Sequence, residues 1–200
     1  MRPFIILGSA SPRRKKLLKD FYQLKVFPAH CDERRKKDES PRAYVRRIAR
    51  EKWKSVAAKM RDIRAQNSQS QIIVTADTTV SLKREILGKA KNAKHAKRIL
   101  KKLSAKIHNV MTSVCVGWSA KSRPQFQILV TSKVKFKKLS EKDLKNYLHS
   151  GEWKDKAGAY AIQGRASKFA EKIQGSMTNI VGLPVAETKS LIAHCFSHPL

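Results

Sequence analysis

Acidic residues are scarce in this chain of 200 residues: Asp and Glu number 15 against 44 Lys and Arg, a formal net charge of +29. Such a charge attracts polyanions of any kind, including nucleic acids, anionic lipids and nucleotides, and does not choose among them. Glycine (8) and proline (7) are also few, which excludes collagen-like and low-complexity chains. Hydrophobic residues make up 41%, enough for a core, and the length favours one domain or two small lobes sharing a sheet.

Long apolar runs are absent from the sequence. None approaches the roughly 18 residues of a membrane span, so we expect no membrane partner. The run at 4–7 is too short for a signal peptide, and its basic residues follow it, which makes a cytoplasmic location the default expectation.

Cysteine is limited to three widely spaced residues, Cys31, Cys115 and Cys195. An odd, scattered set predicts free thiols in a reducing compartment and not a disulfide framework. The tail sequence His194-Cys195-x-x-His198 has metal-ligating side chains but lacks a second ligand pair and lies at a terminus expected to be mobile, which argues against a metal site.

Hydrophobic periodicity predicts alternating strands and helices. The predicted strands are 3–7, 24–28, 72–80, 110–117, 126–136 and 168–173, and the predicted helices are 12–20, 41–59, 93–103, one starting after Ser140, and 185–193. Ser11, Ser40 and Ser140 are predicted N-caps, the first two followed by proline. A polar connector is predicted over 66–71. This pattern favours an α/β or α+β fold with a mixed sheet.

The loop after the first strand is the first candidate for chemistry. It runs Gly8-Ser9-Ala10-Ser11 into a helix that starts Pro12-Arg13-Arg14-Lys15. Small side chains let an anion reach backbone N–H groups, and the helix dipole favours negative charge. From these residues alone, a capped surface helix with basic side chains is an equally good interpretation.

Asp77 is the second candidate, a carboxylate predicted at the end of an apolar strand between threonines. Such a position is often the rim of a cleft in α/β proteins. On pattern alone, an aspartate that bonds a turn backbone is the favoured alternative.

Asp32 and Glu33 form a second acidic site in the sequence. Two acidic sites near phosphate-binding signals suggest a divalent cation, since Mg²⁺ usually binds one or two carboxylates plus phosphate oxygens.

The third candidate is the small-residue segment 156–164, which contains Gln163. Its small side chains allow close approach to a ligand, and the Gln163 amide offers one donor and one acceptor for a base edge. A tightly packed strand and turn is the alternative that the pattern alone favours.

These segments belong to an ordered series of short blocks from about residue 4 to 191. The blocks are Gly8–Arg14, Asp32-Glu33, Glu39–Pro41 with Tyr44, Ala49–Lys52, Ala76–Thr78, Ile86–Lys89, His108-x-Val110-x-Thr112, Tyr147, Gly151-Glu152, Asp155–Tyr160, Ile162–Gly164, Gly175-Ser176, Asn179 and Val181–Pro184. Each block alone is weak evidence for a family, whereas the ordered set is specific. The set resembles the Maf family, the septum-formation-inhibitor-like nucleotide pyrophosphatases.

The resemblance implies one Maf-like domain over 1–200, with 192–200 as a C-terminal tail, and a curved mixed sheet flanked by helices, with two lobes around a deep cleft, as in inosine-triphosphatase-like folds. It implies hydrolysis of a nucleoside triphosphate to the monophosphate and pyrophosphate, with Mg²⁺ or Mn²⁺. Asp77 would be the general base, and Glu33 and Asp77 the metal ligands. The phosphate-binding residues would be Ser9, Arg13, Arg14, Lys52 and Lys89. A homodimer is an expectation from the family alone.

Three discriminating positions hold Arg13, Thr78 and Gln163, as in the branch that resembles dTTP/UTP pyrophosphatases. The branch with Trp, Gln and Glu resembles 7-methyl-GTP pyrophosphatases, and a ring and a carboxylate do suit a methylated, positively charged guanine. The resemblance thus implies house-cleaning of pyrimidine nucleotide pools. Ala90 follows Lys89 where the family usually has proline, so that loop is expected to be less rigid.

The competing hypothesis is a basic nucleic-acid-binding protein on a degenerate Maf scaffold. The charge supports it, but aromatic residues make up only 7%, no recognition motif occurs, and Asp77, Glu33, Lys52 and Lys89 are all present. The basic excess is predicted to be spread over several helix faces, and we expect no specific nucleic-acid partner.

Overall fold

A computed structural model describes residues 2–64 and 70–198, except for the side chains of residues 63 and 64. Most of the connector predicted over 66–71 lies outside the described residues. The chain forms two compact units. The first comprises Met1–Asp77, Thr112–Val130 and Gly182–Leu200, and the second comprises Thr78–Met111 and Thr131–Val181.

The elements form a mixed α/β fold, which confirms the predicted class. The strands are β1 Phe4–Leu7, β2 Gln23–Val26, β3 Ile72–Leu82, β4 Glu85–Leu87, β5 Ile107–Trp118, β6 Phe126–Phe136 and β7 Ala170–Gln174. The helices are α1 Pro12–Leu18, α2 Pro41–Arg64, α3 Ala93–Leu103, α4 Glu141–His149, α5 Met177–Val181 and α6 Val185–Ser197, with a 3-10 helix at Arg165–Phe169. The strand order is β2-β1-β3-β5-β6-β7, and β4 pairs with β3.

Several boundaries differ from the predictions. Helix α2 continues to Arg64 and α6 to Ser197, past the predicted ends at 59 and 193. The short β4, α5 and 3-10 helix were not predicted, because elements of three to five residues carry too little periodicity. Among the described residues, no helix has the length and apolar character needed to cross a membrane.

Strand β1 explains how the first unit is built. It runs parallel to β2 and to β3, with Ile6 opposite Ile73. Ile5 and Leu7 pack in one core cluster, and Ile6 packs in another with Trp53. Successive side chains of a strand point to opposite faces, so a strand buried on both faces is apolar throughout. This is why 4–7 is a continuous apolar run.

The second unit contains the antiparallel pairs β3–β4 and β6–β7. Its α4 begins with the predicted cap: Ser140 Oγ accepts from the Asp143 N–H, and the Asp143 carboxylate accepts from the Ser140 N–H. In the first unit, Ser40 Oγ likewise accepts from the Ala43 N–H at the start of α2, at 3.2 Å.

The third predicted cap, Ser11, is correct in position but not in its side-chain hydrogen bond. Ser11 lies at the N-cap of α1 with Pro12 in the first turn, but its side chain makes no capping hydrogen bond. Its backbone N–H donates instead to Ser9 Oγ at 3.3 Å. The loop before α1 is therefore organised around Ser9.

The end of the chain is a helix through residue 197. Cys195 is fully buried there, with its thiol 3.4 Å from Gln125 Oε1, and burial raises the pKa of that thiol to about 11. All three cysteines are free thiols. Within residues 2–64 and 70–198, no group of three or more His, Cys, Asp or Glu side chains could hold a metal ion.

Candidate active site

The loop after β1 passes close beneath β3 and α2. A Cβ on Gly8 would lie 2.5 Å from Thr75 Cγ2 and 2.9 Å from Val56 Cγ2, so only glycine fits. The Gly8 N–H donates to the Val74 carbonyl at 2.8 Å, which ties the loop to β3. The loop therefore starts from a fixed position.

Arg14 lies in the first turns of α1 and is 9% exposed, unusual for an arginine. Its Nε donates to the Gly182 carbonyl at 2.8 Å, and its Nη1 donates to the buried Ser9 Oγ at 3.1 Å. Burial lowers the Arg14 pKa, with Arg13 acting in the same direction and Asp77 and Glu33 opposing it. The structure thus holds a cationic group, oriented by two neutral acceptors, within electrostatic range of two carboxylates.

Asp77 lies in the middle of β3 and not at a strand end as predicted. The β-rich residues Thr78 to Val80 continue the strand as predicted, and it runs on to Leu82, two residues past the predicted end at 80. Asp77 is 7% exposed, and its Oδ1 accepts from Lys52 Nζ at 2.7 Å. Lys52 Nζ also lies 2.8 Å from Glu33 Oε1, so one ammonium joins both predicted metal ligands.

Lys52 keeps its charge in this buried position. Burial lowers the pKa of its ammonium, but the charge of Asp77 and hydrogen bonds to Asp77 and Glu33 outweigh burial, and the pKa is raised overall. Thr75 Oγ1 donates to the Ala49 carbonyl at 2.8 Å, which fixes β3 against the turn of α2 that carries Lys52. Helix and strand thus position the ion pair between them.

Helix α2 also holds the irregular segment that carries Glu33. Tyr44 Oη donates to the Glu33 carbonyl at 3.0 Å, and Arg47 Nη2 donates to the Arg34 carbonyl at 3.0 Å. Arg47 forms a two-point pair with Glu39, at 2.7 and 2.8 Å, and Nη1 reaches Glu51 at 3.0 Å. Hydrogen bonding to Arg47 lowers the Glu39 pKa. Together these bonds attach a loop without regular structure to a rigid helix.

The remaining candidate residues belong to the second unit. Thr78 follows Asp77 in β3 and is partly buried. Lys89 is exposed and forms an isolated antiparallel bridge with Ala157. The N–H of Gly158 donates to the Leu87 carbonyl at 2.8 Å. Its φ of +69° and a distance of 3.0 Å from an added Cβ to Val80 both require glycine, so this bridge fixes the path of the segment with Lys89.

Gln163 is exposed and is the third residue of a turn closed by a bond from the Gly164 N–H to the Ala161 carbonyl at 3.0 Å. The Ala161 N–H donates to Tyr147 Oη at 3.1 Å. Tyr160, one residue earlier, is buried and lies 2.9 Å from His108 Nε2 through its Oη. The side chain that the sequence singled out for base recognition thus extends from an anchored backbone.

In the first unit the structure brings together five predicted residues, either by direct contact or within electrostatic range: Ser9, Arg14, Glu33, Lys52 and Asp77. Arg13, half-buried on α1, adds its charge to the same field. Thr78, Lys89 and Gln163 lie in the second unit.

Sequence reasoning missed two kinds of contact. It assigned no role to Gly182, whose carbonyl orients Arg14, or to Arg47, which secures the Glu33 segment. The only signals were that Gly182 lies within the block Val181–Pro184 and that Arg47 lies between Tyr44 and the block Ala49–Lys52. A backbone carbonyl acts through its position, and position comes from the fold and not from residue type.

Known proteins match this chain over nearly its whole length. The Maf-like protein family model matches residues 4–195. A dTTP/UTP pyrophosphatase of Cereibacter sphaeroides is 46% identical over 191 residues, covering 94% of this chain and 93% of the relative. A dTTP/UTP pyrophosphatase of Pyrococcus abyssi is 42% identical over 188 residues, covering 94% of each.

A solved nucleoside-triphosphatase (dITP/XTP pyrophosphatase) from Mycobacterium abscessus matches 96% of this chain and 94% of its own, at 8% identity and a TM-score of 0.41. At this identity and TM-score, we draw no conclusion about this chain from the likeness.

Proposed function

The chain belongs to the Maf-like protein family, and we propose that it hydrolyses dTTP and UTP to the monophosphate and pyrophosphate. Relatives at 42–46% identity are named dTTP/UTP pyrophosphatases, and the chain spans almost all of their length. The observation that carries the proposal is the buried Lys52 ammonium bound to both Asp77 and Glu33, next to a buried and oriented Arg14. Hydrolysis to the monophosphate and pyrophosphate removes dTTP and UTP from the nucleotide pool, which is the house-cleaning role.

Asp77 is the proposed general base. It takes a proton from water as the water oxygen forms a bond to the α-phosphorus. The bond from the α-phosphorus to the oxygen bridging the α- and β-phosphorus breaks, and pyrophosphate leaves with that oxygen and its electron pair. A positioned base contributes about 10²–10⁴-fold to such a step. Lys52, with Nζ 2.7 Å from Oδ1, holds the carboxylate in place.

Positive groups offset the charge of the triphosphate. Arg14 has the fixed orientation that a bidentate phosphate contact needs. Arg13, Lys52 and Lys89 supply further charge, and Ser9 holds Arg14 and presents its hydroxyl in the same loop. Charge stabilisation that is positioned in advance is usually the largest part of catalysis at such sites.

A divalent cation fits the donor set. Each carboxylate, Asp77 and Glu33, has a second oxygen beyond the one that faces Lys52, and Mg²⁺ or Mn²⁺ commonly binds one or two carboxylates with substrate phosphates completing its shell. When bound, the cation supplies neutralisation of phosphate charge and polarisation of water. Asp77 and Glu33, whose side chain is 49% exposed, would hold the cation.

Arg13, Thr78 and Gln163 set the proposed specificity for pyrimidines. The Gln163 amide can pair with the carbonyl and N–H of a thymine or uracil edge, and a neutral amide does not favour the positive charge of 7-methylguanine. Three free thiols fit a reducing, cytoplasmic compartment. A homodimer stays an expectation from the family.

The testing experiment is a panel of dTTP, UTP, dCTP, the purine triphosphates and 7-methyl-GTP with Mg²⁺ or Mn²⁺, with products separated by ion exchange. We expect dTTP and UTP to be the best substrates and the products to be the monophosphate and pyrophosphate. Release of orthophosphate and a diphosphate would place the attack at the γ-phosphorus and reject the mechanism. A preference for 7-methyl-GTP would reject the specificity.

A further inference from the structure

A stripe of uncompensated positive charge runs along the solvent face of α2. It consists of Arg42, Arg46, Arg50 and Lys54, all exposed and each four residues from the next. At a rise of about 1.5 Å per residue, successive members lie about 6 Å apart along the helix axis. We call this set the α2 stripe. Like charges at this spacing destabilise a helix, so the fold bears a cost for keeping them together.

The acidic residues nearby pair with other partners. Among the described residues, the ion pairs of the first unit join Arg34 to Asp32, Arg47 to Glu39 and Glu51, and Lys52 to Glu33 and Asp77, and none includes a member of the α2 stripe. Helix α3 is different. Its Lys97 and Lys101 both pair with Glu141, and Lys102 pairs with Glu85. Basic charge is thus partly neutralised on α3, whereas none of these ion pairs neutralises the α2 stripe.

A neutral side chain orients part of the stripe. Arg50 Nη2 donates to Gln127 Oε1 at 2.7 Å, while Gln127 Nε2 donates to the Arg46 carbonyl at 2.8 Å and to Ser113 Oγ at 3.1 Å. An amide holds the guanidinium without cancelling its charge. The field is felt inside the unit as well: burial raises the pKa of the Cys115 thiol to about 12, and the charges of Arg50 and Arg46 oppose that rise.

We propose that the α2 stripe binds the phosphate backbone of a nucleic acid without regard to sequence. Guanidinium groups match phosphate geometry, and backbone contacts carry no sequence information. An anionic membrane would also attract the charge, but a helix that lies in a membrane needs an exposed apolar face. The apolar face of α2 is already used, since Val45, Ile48, Trp53 and Val56 are fully buried. The stripe therefore suits a polyanion that requires charge alone.

The test compares two variants with the same loss of charge. Arg46→Gln/Arg50→Gln removes two charges from the stripe, and Lys142→Gln/Lys145→Gln removes two exposed charges from α4. Binding to a labelled mixed-sequence DNA duplex of about two helical turns is measured by fluorescence anisotropy from about 50 to 200 mM salt. Circular dichroism and thermal unfolding verify that both variants fold.

Four phosphate contacts predict a contribution to the slope of log affinity against log salt of about −3.6, and the stripe variant should lose about half of it. It should also bind the duplex about tenfold more weakly at low salt, while the α4 variant changes far less and both keep triphosphate hydrolysis. Equal losses in the two variants would show diffuse charge and overturn the proposal. So would binding to phosphatidylserine vesicles that depends on the stripe when duplex binding does not. Neither outcome bears on the pyrophosphatase activity, which the substrate panel tests separately.

Discussion

Two buried polar clusters, one in each unit, meet the cost of burial in opposite ways. In the charged cluster, which consists of Arg14, Glu33, Lys52 and Asp77, the Lys52 ammonium pairs directly with Asp77 and Glu33 at 2.7 and 2.8 Å, and Arg14 is held by two neutral acceptors. The neutral cluster consists of His108, Tyr160 and Phe136. There the His108 ring lies 2.9 Å from Tyr160 Oη through Nε2 and packs edge-on against Phe136, and burial lowers its pKa to about 4.

The comparison of the two clusters shows which buried groups stay charged in this fold and which stay neutral. An ionised group removed from water is stable only beside opposite charge or strong hydrogen bonds. Among the described residues no carboxylate pairs with His108, and its buried Nδ1 has no hydrogen-bond partner, so the ring stays neutral and serves packing. Lys52 has two carboxylates and stays charged. Buried ions that are costly to keep mark the place where charge has a use.

The largest expected effect comes from breaking the charged cluster at its centre. Lys52→Met removes the ammonium but keeps most of the volume, and it leaves Asp77 buried without its partner at 2.7 Å. Removing one partner of a buried pair costs about 3–5 kcal/mol in the free energy of unfolding, and the half-exposed Glu33 adds little. Urea unfolding followed by circular dichroism measures the loss.

The double variant Lys52→Met/Asp77→Asn provides the control, because it removes the stranded charge as well. We expect it to regain a large part of the lost stability although both proposed site residues are changed. If the double variant were less stable than Lys52→Met, the buried charge would not be the cause of the loss.

The neutral cluster gives the next effect, in the pH dependence of stability. Because burial lowers the His108 pKa from 6.5 to about 4, the unfolded chain binds this proton first as the pH falls. Stability from this group is fully present above pH 6.5 and is lost between 6.5 and about 4, by about 3 kcal/mol.

His108→Asn keeps a polar side chain that does not titrate in this range. Thermal unfolding of both proteins between neutral and acidic pH measures the difference in slope. We expect a flatter profile for the variant over this window, whatever its stability at neutral pH. Parallel profiles for the two proteins would show that His108 is not held neutral by burial.

The smallest expected effect is a loss of kcat/KM for dTTP and UTP when the amide of the exposed Gln163 is replaced by a carboxylate. Gln163→Glu places a carboxylate on an exposed side chain, so stability should hold. Loss of the amide donor should lower kcat/KM for dTTP and UTP by about tenfold, in the range of about 1–3 kcal/mol for an unpaired polar group. The matched control is Lys168→Gln, an exposed change nearby. Unchanged pyrimidine use in Gln163→Glu would remove Gln163 from recognition.

The sequence predicted the long elements well, because they carry a clear period. In α3, predicted over 93–103, the apolar residues Ala96, Ile99, Leu100 and Leu103 follow the helical period and are all buried. Two of the three serine caps act through their side chains as expected. The short β4, α5 and 3-10 helix were not predicted, and α2 continues five residues past its predicted end. Boundaries depend on tertiary packing, which local pattern does not include.

For the candidate site, residue types and order predicted the members but not their contacts. The sequence did not predict that one ammonium, Lys52, joins Asp77 and Glu33, or that Asp77 lies in mid-strand. These contacts join residues 19 and 25 positions apart along the chain and arise only from how β3, α2 and the Glu33 segment pack. The roles of the nine predicted site residues stay predictions until variants are assayed.

The most direct test of the central claim is the turnover of dTTP and UTP by Asp77→Asn. The amide keeps the shape of the carboxylate and the bond from Lys52 but cannot accept the proton of the attacking water. With Mg²⁺ or Mn²⁺ saturating, we expect kcat to fall by about 10²-fold or more. Binding of a non-hydrolysable triphosphate, measured by calorimetry, should stay largely intact. Turnover near that of the unmodified enzyme would contradict the assignment of Asp77 as the base and with it the proposed mechanism.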